Sequence, residues 1–399
     1  MDARVRELVK ATIPVLKEHG VALTTYFYQR MFRHNPELKN IFNQSHNETG
    51  KQPVALAMAV LAYAENIDDP SVLAPVITLI ANKHASVGIR AEHYPIVGKH
   101  LLASIREVLG DAASDELIAA WGVAYGALAD VFIDAESKLY NQACNADGGW
   151  SGWRSFRIID KVRESEEITS FHLVPCDGGP LPAYRAGQYT TARVFVPELG
   201  VMQLRQYTLS IAPGAMHFRI SVKREPAGAT TPAGRVSNRL HDFYKVGDML
   251  ELAPPFGEFF LDETHDGPVV LISGGVGITP MISMLDRLVA AAPSRPVQFV
   301  HACRNAAVFA FGAHLAKVAE RNPQVRLHLF HDEGAVSAPV QAGRVDLRAL
   351  AGEVLAEGAD YYLCGPVGFL EAQIATLHEL GVESARIHAE VFDTGGIAT

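Results

Sequence analysis

The chain has 399 residues, 48% of them apolar, which is enough for roughly two or three domains that each bury a core. Its formal charge of -9, with 35 basic residues scattered among 44 acidic ones, excludes the basic stripe that a nucleic-acid partner requires. Cys144, Cys176, Cys303 and Cys364 lie too far apart for a disulfide framework, a zinc site or a plant-type iron–sulfur cluster. An amphipathic start with no uninterrupted apolar run of about 18 residues points to a cytoplasmic chain without a transmembrane segment.

From residue 1 to about 140 the apolar period is helical. Val5, Leu8, Val9, Ile13 and Leu16 form one stripe, and Leu117, Trp121, Ala124, Leu128, Val131 and Phe132 form another. Breaks at Gly20, Asn35-Pro36, Gly50, Asp69-Pro70, Gly88 and Gly110-Asp111 divide six or more helices, with Ser114 as a cap before the last. A linker follows at Asp147 to Gly152.

After Trp153 the period becomes two. Short runs at Phe156–Ile159, Ile168–Val174, Tyr189–Val196, Gln206–Ser210 and His217–Val222 predict a small antiparallel barrel. From Pro268 strand and helix alternate. Strands are expected at 269–273, 297–301, 325–330 and, last, 361–364, with helices from Pro280 and near 310–321, as in a parallel α/β sheet.

Two motifs carry redox chemistry. Arg205-Gln206-Tyr207-Thr208-Leu209-Ser210 offers a guanidinium, an aromatic ring and a hydroxyl on one strand, a set that can hold a diphosphate and an isoalloxazine ring; a plain amphipathic strand gives the same pattern. Support comes from Gly187-Gln188-Tyr189 and from Gly234-Arg235-Val236-Ser237-Asn238, which offers amides and a hydroxyl to phosphate. The turn Gly274-Gly275-Val276-Gly277-Ile278-Thr279-Pro280 joins an apolar strand to a helix and can present amides to a pyrophosphate. It departs from the Rossmann fingerprint, since Pro280 replaces a glycine and the next strand ends in His301-Ala302-Cys303-Arg304-Asn305 without an acid. Cys364-Gly365-Pro366 stands at a later strand end, where ligands of such sheets bind. In the helical part, Lys83-His84 places an imidazole on an apolar stripe, where a packed core histidine is the plainer reading.

Residues 153–399, with RQYT, GGVGITP and CGP in order, resemble the ferredoxin–NADP reductase superfamily. Residues 1–140, with TIPVLKEHG, FYQRMF, HNPELK, ANKHAS, YPIVGKHLL and AYGALADVF, resemble the globin half of the flavohaemoglobins, in which a globin is fused to such a reductase. The resemblance implies a multi-domain chain: an all-α globin (1–146), an antiparallel β-barrel FAD domain (150–262) and a parallel-sheet α/β NAD(P) domain (266–399).

It also implies haem b, FAD and NAD(P)H as cofactors and NO and O2 as substrates, with NO converted to nitrate by a monomeric nitric oxide dioxygenase. His84 would ligate iron, tuned by Tyr94 and Glu136. Phe42 would pack on haem, and Tyr28, Gln52 and Leu56 would line the distal side, with Tyr28 holding bound O2. Flavin would rest on Tyr189, Arg205, Gln206, Tyr207, Thr208 and Ser237, approached by Glu390, Val391 and Phe392. Nucleotide would rest on Gly274, Gly275, Val276, Gly277, Ile278, Thr279, Cys364, Gly365 and Pro366. Lys83 and Glu390 would flank the route from flavin to haem.

The apolar Phe42, Leu56 and Val60 raise a lipid as a further distal ligand. Two other classes stay open at this level: an O2-storing or sensing globin, which leaves the flavin motifs idle, and a flavin or ferric reductase, which leaves His84 idle. Ala389 and Asp393-Thr394 depart from the family's C-terminal pattern. Arg304 could meet a 2′-phosphate, so NADH against NADPH is undecided.

Overall fold

The computed structural model describes residues 1–228 and 232–392. Asp393-Thr394 lie outside the described residues. By contacts the chain divides into two compact units, Met1–Trp153 with Thr191–Arg205, and Arg154–Thr190 with Gln206 onward.

Seven α-helices build the first part: α1 (Ala3–Lys10), α2 (Ile13–His34), α3 (Gln44–Glu48), α4 (Lys51–Glu65), α5 (Ala74–Val87), α6 (His93–Leu109) and α7 (Asp115–Asn145). Helix α7 begins where expected. Ser114 Oγ accepts from Leu117 N at 3.1 Å, and Asp115 and Glu116 complement the helix dipole in its first turn. At its other end α5 closes on Gly88, whose φ of 81° suits glycine.

The core joins Leu16, Leu23, Phe27 and Met31 of α2 to Tyr63 and Ala64 of α4, Leu101 and Ile105 of α6, and Trp121 and Ala124 of α7. Helix α7 has the length and apolar composition to cross a membrane. Trp121, Ala124, Phe132 and Glu136 along it are nonetheless buried within the helical unit, as in the core helix of a globular domain.

Small residues set how α2 meets α4. A Cβ on Gly20 would stand 3.5 Å from the Ala57 Cβ, and one turn on, Thr24 Oγ1 donates to Pro53 O at 2.8 Å. A further turn brings Tyr28 opposite Gln52. Segment 191–205 groups with this unit through its own hydrogen bonds: Met202 N donates to Asn40 Oδ1 at 2.8 Å, and Gln44 N donates to Gln203 Oε1 at 3.1 Å.

A six-stranded sheet follows, formed by β1 (Arg154–Arg163), β2 (Ile168–Pro175), β3 (Tyr189–Val196), β4 (Val201–Thr208), β5 (Phe218–Lys223) and β6 (Met249–Leu252), in the order β4-β3-β6-β1-β2-β5. Its β1–β2, β1–β6 and β2–β5 pairs are antiparallel. Strand β4 starts at Val201 and stops at Thr208, so it differs from the expected 206–210. Leu209 instead bridges Ile220 of β5 and Ser210 N donates to Arg219 O at 2.8 Å, which draws the sheet's two edges together. Helix α8 (Arg235–Phe243) comes between β5 and β6.

The second sheet is wholly parallel. Its strands β7 (Val269–Gly274), β8 (Val297–Cys303), β9 (Val325–His331), β10 (Val340–Ala342), β11 (Asp360–Cys364) and β12 (Ile387–Glu390) run in the order β10-β9-β8-β7-β11-β12. Helices α9 (Ile278–Ala291), α10 (Gly312–Arg321), α11 (Ala351–Val354) and α12 (Val367–Glu379) connect them. The strand at 361–364 is not the last, because β12 pairs beside it, Cys364 opposite Glu390. The chain order reverses at β7, between β8 and β11, and a crevice at the carboxyl ends of β7 and β11 is where such sheets bind ligands.

Candidate active site

In the helical unit two polar constellations form. His84 on α5 and Glu136 on α7 are 52 positions apart in sequence, yet His84 Nδ1 lies 2.8 Å from Glu136 Oε1. Tyr94 of α6 donates its hydroxyl to the same carboxylate oxygen at 2.5 Å and stands 3.2 Å from His84 Nδ1. Glu136 is only 2% exposed, so these two contacts rather than water satisfy its carboxyl. The Tyr94 hydroxyl is pushed far up by burial and by Glu136, and it keeps its proton. Since Glu136 can only accept, the network assigns the imidazole proton to Nδ1 and leaves Nε2 as a lone-pair donor.

Tyr125 and Tyr140 complete this frame. Tyr125 donates to Tyr94 O at 2.7 Å, and Gly98 makes room for it: a Cβ there would come within 2.5 Å of the Tyr125 ring. Tyr140 donates to Ile89 O at 2.5 Å just beyond α5, and the Arg90 guanidinium sits 3.8 Å from its ring centre. Neither tyrosine was singled out from sequence.

Tyr28 is 6% exposed, and its ring is boxed by Phe27, Phe32 and Phe42 at centroid distances of 4.9, 5.9 and 5.7 Å. Gln52 Nε2 donates to its hydroxyl at 3.4 Å. Burial pushes the phenol up to about 12, so at neutral pH the group is a proton donor. Phe42, Leu56 and Val60 are half-buried beside the same core and supply apolar wall. Lys83, next to His84, is half-buried.

Among the described residues no cluster of three or more His, Cys, Asp or Glu side chains could hold a metal. One imidazole whose Nε2 is left as a lone-pair donor suits a metal that brings its own macrocycle, and the apolar wall with a single protonated hydroxyl suits a haem pocket. The residues fit the group.

The flavin candidates lie on β3, β4 and α8. Along β4, Arg205 and Tyr207 are two apart and half-buried, Gln206 is exposed and Thr208 buried. Arg205 donates to Leu204 O at 2.7 Å and to Ser45 Oγ at 3.4 Å within the first unit. In the second unit Tyr189 lies against Gly257, where a Cβ would fall 2.8 Å from its ring. Ser237 stands in the first turn of α8, its Oγ accepting from Glu225 N at 3.4 Å. A planar ring against glycine fits a flavin, and the nine-residue helix α8, with Ser237 in its first turn, can offer its amino end to a diphosphate.

The nucleotide turn is built by close approach. A Cβ on Gly277 would lie 2.1 Å from Cys364 O, and one on Gly274 would meet Pro366 at 3.2 Å, so the GGVG turn and the CGP strand end require glycine to touch. Gly275 has φ 55°, a left-handed conformation that suits glycine at this turn. Ile278 and Thr279 are buried at the start of α9, Thr279 Oγ1 donating to Val276 O at 3.1 Å. Burial pushes the Cys364 thiol up and keeps it protonated. Glu390 and Val391 are half-buried at the end of β12, and Phe392 is exposed.

Fold and site together define a globin unit joined to a nucleotide-dependent reductase in one chain. The family model described as Globin matches residues 25–132, and the one described as Oxidoreductase NAD-binding domain matches 271–374. Curated relatives named Flavohemoprotein from Chromobacterium violaceum and Bordetella parapertussis are each 57% identical, the first over 98% of both chains and the second over 100% of both. A solved flavohemoglobin from Malassezia yamatoensis, with bound FAD and heme, matches with TM-score 0.86 at 26% identity, over 98% of this chain and 99% of that one. The solved FAD/NAD-binding domain of nitric oxide dioxygenase from Vibrio cholerae O1 biovar El Tor matches with TM-score 0.55 at 39% identity, over 60% of this chain and 98% of that one. The chain belongs to the flavohaemoprotein family and is an oxidoreductase.

Proposed function

We propose that this chain is a cytoplasmic nitric oxide dioxygenase that uses NAD(P)H, FAD and haem b to turn two NO and two O2 into two nitrate ions. The observation that carries the reading is one helical unit holding both a lone imidazole backed by a buried carboxylate and a buried protonated phenol, upstream of a glycine cradle for a nucleotide. The FAD and heme bound in the Malassezia flavohemoglobin and the nitric oxide dioxygenase named for the Vibrio domain support it.

Haem would supply an iron that binds O2, and FAD would split the two electrons of a hydride into single steps. His84 presents Nε2 to the metal, and Glu136 with Tyr94 hold its Nδ1 proton and fix the ring and its tautomer. Tyr28 offers its proton to a small, partly anionic ligand, oriented by Gln52, while Phe42 and Leu56 exclude water. Tyr189, Tyr207, Thr208 and Ser237 hold the flavin, and Gly274 to Thr279 with Cys364 to Pro366 hold the nucleotide. In this reading segments 1–146, 150–262 and 266–399 carry haem, FAD and NAD(P)H in turn.

A storage globin would leave the glycine cradle idle, and a free-standing reductase would leave the His84 relay idle. The test is NADH-driven NO loss that needs O2 and yields nitrate. NO loss indifferent to removal of O2 would overturn the proposal.

A further inference from the structure

In a parallel sheet of this order the adenosine ribose falls at the end of the strand beside the glycine turn, where an acid selects the 2′-hydroxyl and an arginine welcomes a 2′-phosphate. Here that strand end is Cys303-Arg304-Asn305, where Arg304 could meet a 2′-phosphate. The structure places a carboxylate there from elsewhere in the second unit. Arg304 Nη2 donates to Glu167 Oε1, and Glu167 belongs to the tight turn between β1 and β2.

That turn is pinned from several directions. Ser165 Oγ accepts from Glu167 N at 3.3 Å and from Ile168 N at 3.1 Å, Glu166 N donates to Ala307 O at 2.9 Å, and Arg224 N donates to Glu167 O at 2.7 Å. Arg304 is pinned as well, its carbonyl accepting from Glu333 N at 2.7 Å. Glu167 is the less exposed partner, at 24% of its side chain against 57% for Arg304. A 2′-phosphate bound to Arg304 would have to share its guanidinium with this carboxylate and lie beside it, two anions together. A free 2′-hydroxyl could donate to the same carboxylate with no such conflict.

We propose that Glu167 selects NADH over NADPH: it supplies from the β1–β2 turn the acid that β8 lacks, and it neutralises the arginine that would otherwise read a 2′-phosphate. Glu167 is a specificity-determining residue whose contact is with the ribose, distant from the chemistry of hydride transfer. The inference rests on the reductase half taking a nicotinamide nucleotide, and is independent of whether NO is the final substrate.

The test is calorimetric titration of the full haem- and FAD-loaded chain with 5′-AMP and with adenosine 2′,5′-bisphosphate, which differ only in the 2′-phosphate. The wild type is expected to favour 5′-AMP. Glu167→Gln should raise affinity for the bisphosphate by about tenfold or more, the worth of one freed charge-assisted bond, and weaken 5′-AMP severalfold. Adding Arg304→Gln should cancel the gain. A wild type that prefers the bisphosphate, or a Glu167→Gln ratio within twofold of wild type, overturns the proposal. Binding of neither nucleotide to the wild type would overturn the nucleotide-site reading and this inference with it, whereas absent NO consumption with normal nucleotide binding would touch only the dioxygenase reading.

Discussion

Tyr28→Phe separates a functional hydroxyl from a structural one. The ring is held by Phe27, Phe32 and Phe42, contacts that the substitution preserves, and the hydroxyl accepts a single long bond of 3.4 Å from Gln52. A bond at that length contributes little, and removing a buried hydroxyl also removes its desolvation cost, so folding stability should change by less than about 1 kcal/mol. Ligand retention should change far more. A donor aimed at a partly anionic ligand is worth about 1.5–3 kcal/mol, which corresponds to an O2 dissociation rate roughly ten to one hundred times faster. Stopped-flow displacement of O2 by excess CO measures that rate, and haem content with thermal unfolding measures the fold. An off-rate within twofold of wild type at unchanged haem content would refute the assignment of Tyr28.

Glu136→Gln keeps the shape of the proximal relay and removes its charge. Charge-assisted bonds are about twice as strong as neutral ones, so a loss near 1.4 kcal/mol in favour of ferric haem should raise its midpoint potential by about 60 mV; spectroelectrochemistry showing no shift would count against the relay. Gly277→Ala places a Cβ 2.1 Å from Cys364 O and 2.8 Å from Gly365 N, both backbone atoms, so the turn must move. Flavin reduction by NADH should slow at least about tenfold while the haem spectrum is unchanged; normal reduction would show that the turn is not the nucleotide cradle.

Burial lowers His301 to about 3 from the ordinary 6.5, and the unfolded chain therefore binds the proton more readily. Its contribution to stability is whole above pH 6.5 and is lost as pH falls toward 3. Between pH 7 and pH 5 the loss is about 2 kcal/mol, and His301→Gln should flatten the pH dependence of the unfolding midpoint over that range.

Helix and strand periods located most elements because they report burial directly: Leu16, Leu23 and Trp121 fall on the stripes that the core uses. The strand at 206–210 was misplaced because its pattern continues past Thr208 while its pairing partner changes to β5, and pairing is not written in the period. β12 escaped for a different reason. Ile387 to Glu390 is half-buried at a sheet edge, where apolar runs are short and alternation is weak.

The site was legible where a motif is local and illegible where it is assembled. The GGVGITP turn and the CGP strand end can be read singly, and only their mutual contact had to come from the fold. The sequence places His84 on an apolar stripe of α5, where a packed core histidine reads just as well; nothing near it in sequence says that its Nδ1 meets Glu136, and the crossing of α5 and α7 does. Arg304 is the sharpest case. Read along the chain it is a lone cation at a ribose-reading position, which leaves NADH against NADPH open. Its partner Glu167 is 137 positions away in an acidic turn that carries no motif, and a neutralised arginine favours NADH. A specificity residue judged without its counter-ion has an undefined sign, and only the fold supplies the counter-ion.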